Sequence, residues 1–356
     1  MRSPLRFAKT ACALICAGLL CTTAHAAMVE LDDSELSEVT GQAFINLTTD
    51  SANGLNFTRI NFGMDVATQL NIKKLQLGQY ARGTENAPAD LAIDNFALGT
   101  VNADDTLNPF LIKNPYLELA YNGNKIVGMR IGFGEAQGYL SGDIKTFTGN
   151  LAIDLYGSGQ YLAQKIREAQ STCWFNINCT LASALDLLAS DATFKAQAEL
   201  VCGPNMNCTK GVSDPVRALY AGLKNGTALS IPDDSGLGAG LVSILLPFIT
   251  SNGCEITGMS SCFALSDYKT LPIGKFDTNA NQFVDTAKGV FISLQTDNVQ
   301  WRDPQNANKF ITALAGAFMN MPRNADGSGA VNLSFQQALE GILRKDTCLG
   351  AATSGC

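Results

Sequence analysis

Oxygen-bearing side chains recur at alternate positions in the stretch "DTNANQFVD". Asp277, Asn279, Asn281 and Asp285 fall at positions one, three, five and nine of a calcium-binding loop, where carboxylate and amide oxygens would wrap a hard cation. Two positions depart from that pattern: Gln282 stands where the loop wants glycine, and Lys288 stands where a bidentate acid would close the shell. A fainter echo, "NADGSGAV", offers Asn324, Asp326, Ser328 and Gly329, but Phe335 occupies its closing position. Asx-rich turns that bond their own backbone account for both stretches without metal. Calcium is therefore the one candidate cofactor, with the first four residues as its candidate ligands.

Other chemistry is scarce. The single histidine, His25, lies in an N-terminal apolar stretch that reads as a leader. Once the leader is removed no imidazole remains, which excludes Ser-His-Asp and Cys-His catalysis and His-ligated metals. No phosphate loop, GxSxG elbow or dinucleotide fingerprint occurs. Glu118 and Glu135 are two carboxylates in a strand-rich region, and a glycosidase needs only a suitably spaced pair. As exposed strand residues they would have no such role, and the expectation is a protein that is not an enzyme.

The leader sets the compartment. Arg2, Arg6 and Lys9 precede the apolar "ACALICAGLLC", and "AHA" supplies a cleavage site after Ala26, so residues 1–26 are expected to be a signal peptide. Of 25 basic residues three lie in the leader, leaving 22 against 32 acidic ones, a net charge of −10. A chain without a basic surplus is a poor binder of nucleic acid. No later apolar run reaches membrane length, and "GAGLVSILLPFI" reads as a buried helix. Eight cysteines remain as neighbouring couples: Cys173 with Cys179, Cys202 with Cys208, Cys254 with Cys262, and Cys348 with Cys356. Their spacing favours four local disulfides in an oxidising periplasmic or extracellular setting.

The elements change character along the chain. Residues 44–157 lack cysteine and alternate as strands do; Ile60, Phe62, Met64 and Val66 share one face, as do Val127, Met129, Ile131 and Phe133. "RINFG" at Arg59 returns as "RIGFG" at Arg130, and "DLAID" at Asp90 as "NLAID" at Asn150, which suggests a loosely duplicated β unit. Residues 158–270 read as a helical, disulfide-rich insertion built on "GQYLAQKIREAQ", "TLASALDLLASDATFKAQAEL" and "SDPVRALYAGLKN". Residues 271–356 add a strand ending at Trp301, then helices over "NANKFITALAGAFMN" and "SFQQALEGILRKD", the second opened by the capping box Ser334…Gln337. The expected fold class is α+β, mainly β: an antiparallel meander, barrel-like or wrapped β body carrying a stapled helical insertion. Trp174, inside the first cysteine loop, is either a contact residue or a cover for its disulfide.

Between leader and body, residues 27–43 include the acidic segment "LDDSELSEVTGQA". Asp32 or Asp33 can cap a short helix whose stripe is Leu31, Leu36 and Val39, with Gly41 as terminator. Together with Glu35 and Glu38 these residues form a docking helix or a recognition tag for a partner. With "DLAIDNFALG", "NPYLELAY" and "VGMRIGFGEAQGYLSGDI", the N-terminal half resembles a family of exported gammaproteobacterial proteins of largely unknown function, some of which carry a pilus-assembly label. The resemblance implies an exported cell-surface or outer-membrane protein that works by binding or assembly with a protein partner at the envelope. A carrier of lipid-like ligands on a curved sheet is the alternative, and its mark would be an apolar sheet face left uncovered by the insertion. An outer-membrane barrel is a third reading, opposed by the helical stretch and the terminal Cys356.

Overall fold

A computed structural model describes residues 45–81, 89–171, 173, 176–232, 240, 242, 244 and 246–348. They belong to one compact unit, Phe44–Cys356. The segment Leu31–Gly41, Trp174 and Cys356 lie outside the described residues.

The fold is mainly β, as its sequence pattern predicts. Its first strands are β1 (Ile45–Ala52), β2 (Leu55–Phe62), β3 (Asp65–Thr68), β4 (Leu70–Leu77) and β5 (Leu91–Leu98). Next come the long β6 (Phe110–Asn122) and β7 (Lys125–Thr146), then β8 (Gly149–Leu151) and β9 (Ile153–Ser158). Helices α1 (Gly159–Glu168) and α2 (Ile177–Ala189) lead into β10 (Thr193–Val201), β11 (Tyr220–Gly222), β12 (Cys262–Ala264) and β13 (Thr270–Ile273). The chain ends in the hairpin β14 (Lys275–Asp277) and β15 (Gln282–Asp285), β16 (Phe291–Gln295), the hairpin β17 (Val299–Asp303) and β18 (Asn306–Ala313), β19 (Gly316–Met321), β20 (Val331–Ser334) and α3 (Phe335–Glu340).

Strand β7 organises everything else. Its first half lies between β6 and β16 and its second half between β5 and β13. One sheet half therefore runs β1–β2–β6–β7–β16–β19–β8, and the other runs β4–β5–β7–β13–β20–β9–β10–β11–β12. The halves meet again where β8 and β9, separated by Ala152, pair in parallel with β19 and β20. This is a wrapped, mixed sheet not closed into a barrel. Gly138 sits where β7 changes partners. Its φ is 139°, and a Cβ there would stand 2.9 Å from the Phe110 Cα, so the bend needs glycine.

Helices α1 and α2 pack over the second half, with Leu162, Ile166, Ala182 and Leu185 in the main core. Ser158 caps α1 by accepting from the Tyr161 N–H, and the capping box of Ser334 and Gln337 opens α3. Three helical expectations give way to strand. "DATFKAQAEL" is β10, burying Phe194, Ala196, Ala198 and Leu200 at every second position. "NANKFITALAGAFMN" is β18, a break, and β19. "SDPVRALYAGLKN" forms no helix, because Arg217 turns at φ 49° before β11. Of "GAGLVSILLPFI", Gly240 and Val242 are helical and Val242 and Leu246 are buried, while a 3-10 turn at Leu246–Phe248 leaves Phe248 84% exposed.

Cys173–Cys179, Cys202–Cys208 and Cys254–Cys262 form disulfides, with Cα–Cα separations of 5.4, 6.0 and 5.0 Å. Such bridges fit an oxidising compartment. Cys348 is also disulfide-bonded.

One surface ion pair gives a pH test. Asp143 on β7 accepts from Lys269 Nζ at 2.5 Å and from Asn95 Nδ2 at 3.1 Å, and these partners hold its carboxyl below the usual range. A carboxyl lowered on folding stabilises above its unfolded pKa of about 3.9 and loses that contribution as pH falls through the folded value. Asp143→Asn should therefore lower stability at neutral pH and leave it unchanged in strong acid. Urea unfolding at both pH values checks this.

Candidate functional site

The first sheet half carries two contrasting faces, and its register sets both. On one face a single cross-strand row reads Leu47, Ile60, Leu117, Ile131, Ile292, Met319. The row beside it reads Thr49, Thr58, Leu119, Met129, Leu294, Ala317. At the β19 end these rows enter the main core with Met319 and Ala317. Toward β1 they emerge: Ile131 is 49% exposed and Leu47 61%. Strand β1 pairs with β2 and, among the described residues, with nothing on its other side. Beside Met129 and Leu294 the face deepens into a groove of about 530 Å³, also lined by Ile126 and Tyr80. Its wall is fixed: Tyr80 Oη donates to the Ala315 carbonyl at 2.7 Å, while Asp90 accepts from the Ala317 N–H at 2.9 Å and Arg217 Nε at 3.0 Å.

The opposite face lies under the β17–β18 hairpin and buries a charge. Its middle row reads Arg59, Glu118, Arg130, Ser293, Phe318. Thus the two "RI-x-FG" echoes are the strands on either side of β6, and their arginines clamp Glu118 from both flanks. Arg59 Nη2 lies 3.1 Å from Glu118 Oε2, and Arg130 Nε donates to the same oxygen. The neighbouring positions on β7 are Gly128 and Gly132. A Cβ on Gly132 would stand 2.1 Å from Tyr116 Cζ, and one on Gly128 3.0 Å from Trp301 Cζ2. The glycines admit these two rings beside Arg130, whose guanidinium carbon lies 5.4 Å from the Tyr116 ring centre, 5.0 Å from Trp301 and 5.0 Å from Phe291. Cation–π attraction of about 0.5–2 kcal/mol per ring offsets part of the desolvation cost.

Several polar atoms in this cluster have no hydrogen-bond partner within the protein: Arg130 Nη1 and Nη2, Trp301 Nε1, Ser293 Oγ, Tyr116 Oη and Gln295 Oε1. Each such buried group costs about 1–3 kcal/mol if left unsatisfied. Burial also pushes the Tyr116 hydroxyl's pKa up, so it stays a donor.

The residues singled out by sequence fall as follows. Glu118 is buried, not exposed, and Glu135 is half-buried beside Thr286, which donates to it at 3.0 Å. Glu118 pairs with Arg130, and Glu135 lies five residues further along the same strand, on the opposite face and about 16 Å away by strand rise. That is too far for a glycosidase pair, which needs about 5–9.5 Å. Asp277 ends β14, and its Oδ1 accepts from the Asn279 and Ala280 N–H groups at 2.8 and 3.0 Å, while Asp285 pairs with Lys275. The four calcium candidates thus form a β-hairpin with an Asx turn. Asp326 likewise accepts from the Ser328 N–H at 3.0 Å. Among the described residues no group of three or more Asp, Glu, Cys or His could hold a metal ion. Val127 leaves the face expected for it: the register slips between Ala120 and Tyr121, and this extra residue turns into the small core with Phe57 and Trp301. Met64 likewise drops out of strand at the turn between β2 and β3.

Residues 5–105 match a family of unknown function, DUF6160. That span includes β1 to β5, hence the outer edge of the apolar face. No curated protein and no solved structure matches the chain. Among the described residues no helix is long and apolar enough to cross a membrane.

Proposed function

We propose that this is an exported, non-enzymatic protein of the cell envelope that acts by binding a protein partner in an assembly, pilus-related in kind. The apolar face of the first sheet half is its binding surface. The observation that carries this reading is the aliphatic row from Ile292 to Leu47, which leaves the core and ends on the open strand β1. Contiguous exposed apolar surface marks interaction sites. An eight-residue edge strand with neither lysine nor proline is unguarded against pairing and suits strand addition. The disulfides, the leader and the resemblance to exported proteins with a pilus-assembly label support the same compartment and role.

The groove beside Met129 favours a second reading, a carrier of lipid-like ligands, since an uncovered apolar sheet face is its distinguishing mark. One experiment separates them. Non-reduced native mass spectrometry of the protein from its own host, wild type and Leu47→Lys/Ile131→Lys, reads bound mass directly. Both side chains are exposed, so the variant should keep the wild-type melting temperature. A defined protein complex lost in the variant supports assembly. A lipid-sized adduct moves the assignment to carrier, and a bare chain in both samples overturns both readings.

A further inference from the structure

We propose that Arg130 and the donors around it bind a small monovalent anion of the halide class beneath the β17–β18 hairpin. Six of the ten buried polar atoms without a partner, counted among the described residues, lie on this one face within three consecutive ladder steps. Gly128 faces Gln295, Arg130 faces Ser293, and Gly132 faces Tyr116 on one side and Phe291 on the other. Such clustering points to one shared partner.

The chemistry of the set selects an anion over water. Both Nη atoms and the indole N–H can only donate, and the two hydroxyls can donate as well; only Gln295 Oε1 is purely an acceptor. A water must place two protons of its own, whereas an anion accepts from every donor. The contacts agree: two guanidinium groups share the one carboxylate they touch, Glu118, and Arg130 is fully buried, while the next carboxylate, Asp303, acts on Tyr116. Size sets where the ion lies. Tyr116 fills the space over Gly132, where a Cβ would stand 2.1 Å from its Cζ, so the ion is small and sits beside the Arg130 Nη atoms, not over the glycine.

Bromide is the probe. Crystals of the full chain transferred to bromide should show an anomalous peak in hydrogen-bond contact with the Arg130 Nη atoms. At constant ionic strength, with gluconate replaced by chloride, the melting temperature should rise with halide concentration, because an ion bound to the folded state stabilises it. Ser293→Ala and Trp301→Phe keep the charge, the second at some cost in packing, and each should weaken the halide dependence roughly tenfold by removing one donor to a charged acceptor. Arg130→Met should abolish it; if that variant does not fold, the other two carry the test. Density for ordered waters with no bromide peak, a halide-independent melting temperature, or a peak only at molar bromide with unchanged melting (an adventitious ion only) would each overturn the proposal.

Discussion

In halide-free buffer, Glu118→Ala is expected to destabilise the protein by about 3–5 kcal/mol, because it strands Arg130 as a buried charge without a counter-ion. Arg130 is entirely buried, and its Nε–H donates to Glu118. Arg59 still reaches solvent, so it cannot be the main source of the loss. The informative companion is the double variant Glu118→Leu/Arg130→Met, which removes both charges and fills the space with apolar atoms. Buried pairs replaced in this way often leave stability unchanged or higher by about 1–4 kcal/mol. Urea unfolding of the three proteins should thus rank Glu118→Ala far below the other two. Equal losses in the single and double variants would mean that packing of the β17–β18 hairpin, and not charge, dominates the site.

Reduction of the disulfides is the second large effect. Three of the bridges close short loops, with sequence separations of 6, 6 and 8. Loop-closure entropy then gives about 2 kcal/mol per bridge. Reduction at neutral pH should lower the unfolding free energy by the sum of these terms, and the denaturation midpoint with it. The loss should centre on the region around β10 to β12, where Cys202 follows β10 and Cys262 opens β12, and where Cys254 and Cys262 pack with Val201 and Tyr220. Hydrogen exchange with and without reductant would locate it. Uniform loss of protection, including β1 and β2, would refute a local role for the staples.

How much of this was legible in the sequence depends on what each residue type conceals. The alternation in β2, β6 and β7 uses large aliphatic side chains, so its period of two was plain. In β10 the same period is written in alanine, at Ala196 and Ala198, and alanine's helix propensity masked a strand that pairs with both β9 and β11. The break in the third expected helix depends on a left-handed Arg217, held by its backbone N–H donating to Thr148 Oγ1 at 2.8 Å. No local pattern announces a contact 69 residues away. The buried arginine was half legible. The spacing Gly128-Met129-Arg130-Ile131-Gly132 puts a charge between two absent side chains on one face, and the "RI-x-FG" echo doubles the arginine. What the sequence withheld was the register that brings Glu118 between them. The three described cysteine couples needed no register, since neighbours in sequence were neighbours in space.

Strand β7 also bears on how the molecule comes to exist. Its flank against β5 and β6 can zip as soon as the hairpin is made, but Gly132 must wait for Phe291 and Gly138 for Ile273. Until the last third of the chain has emerged, the longest strand of the protein shows a naked edge. Such non-local pairing makes acquisition of the native state slow and exposes a sticky intermediate meanwhile. If the chain is exported as proposed, it would depend on a holdase during transit, and its yield would be limited by the delay before its final strands arrive.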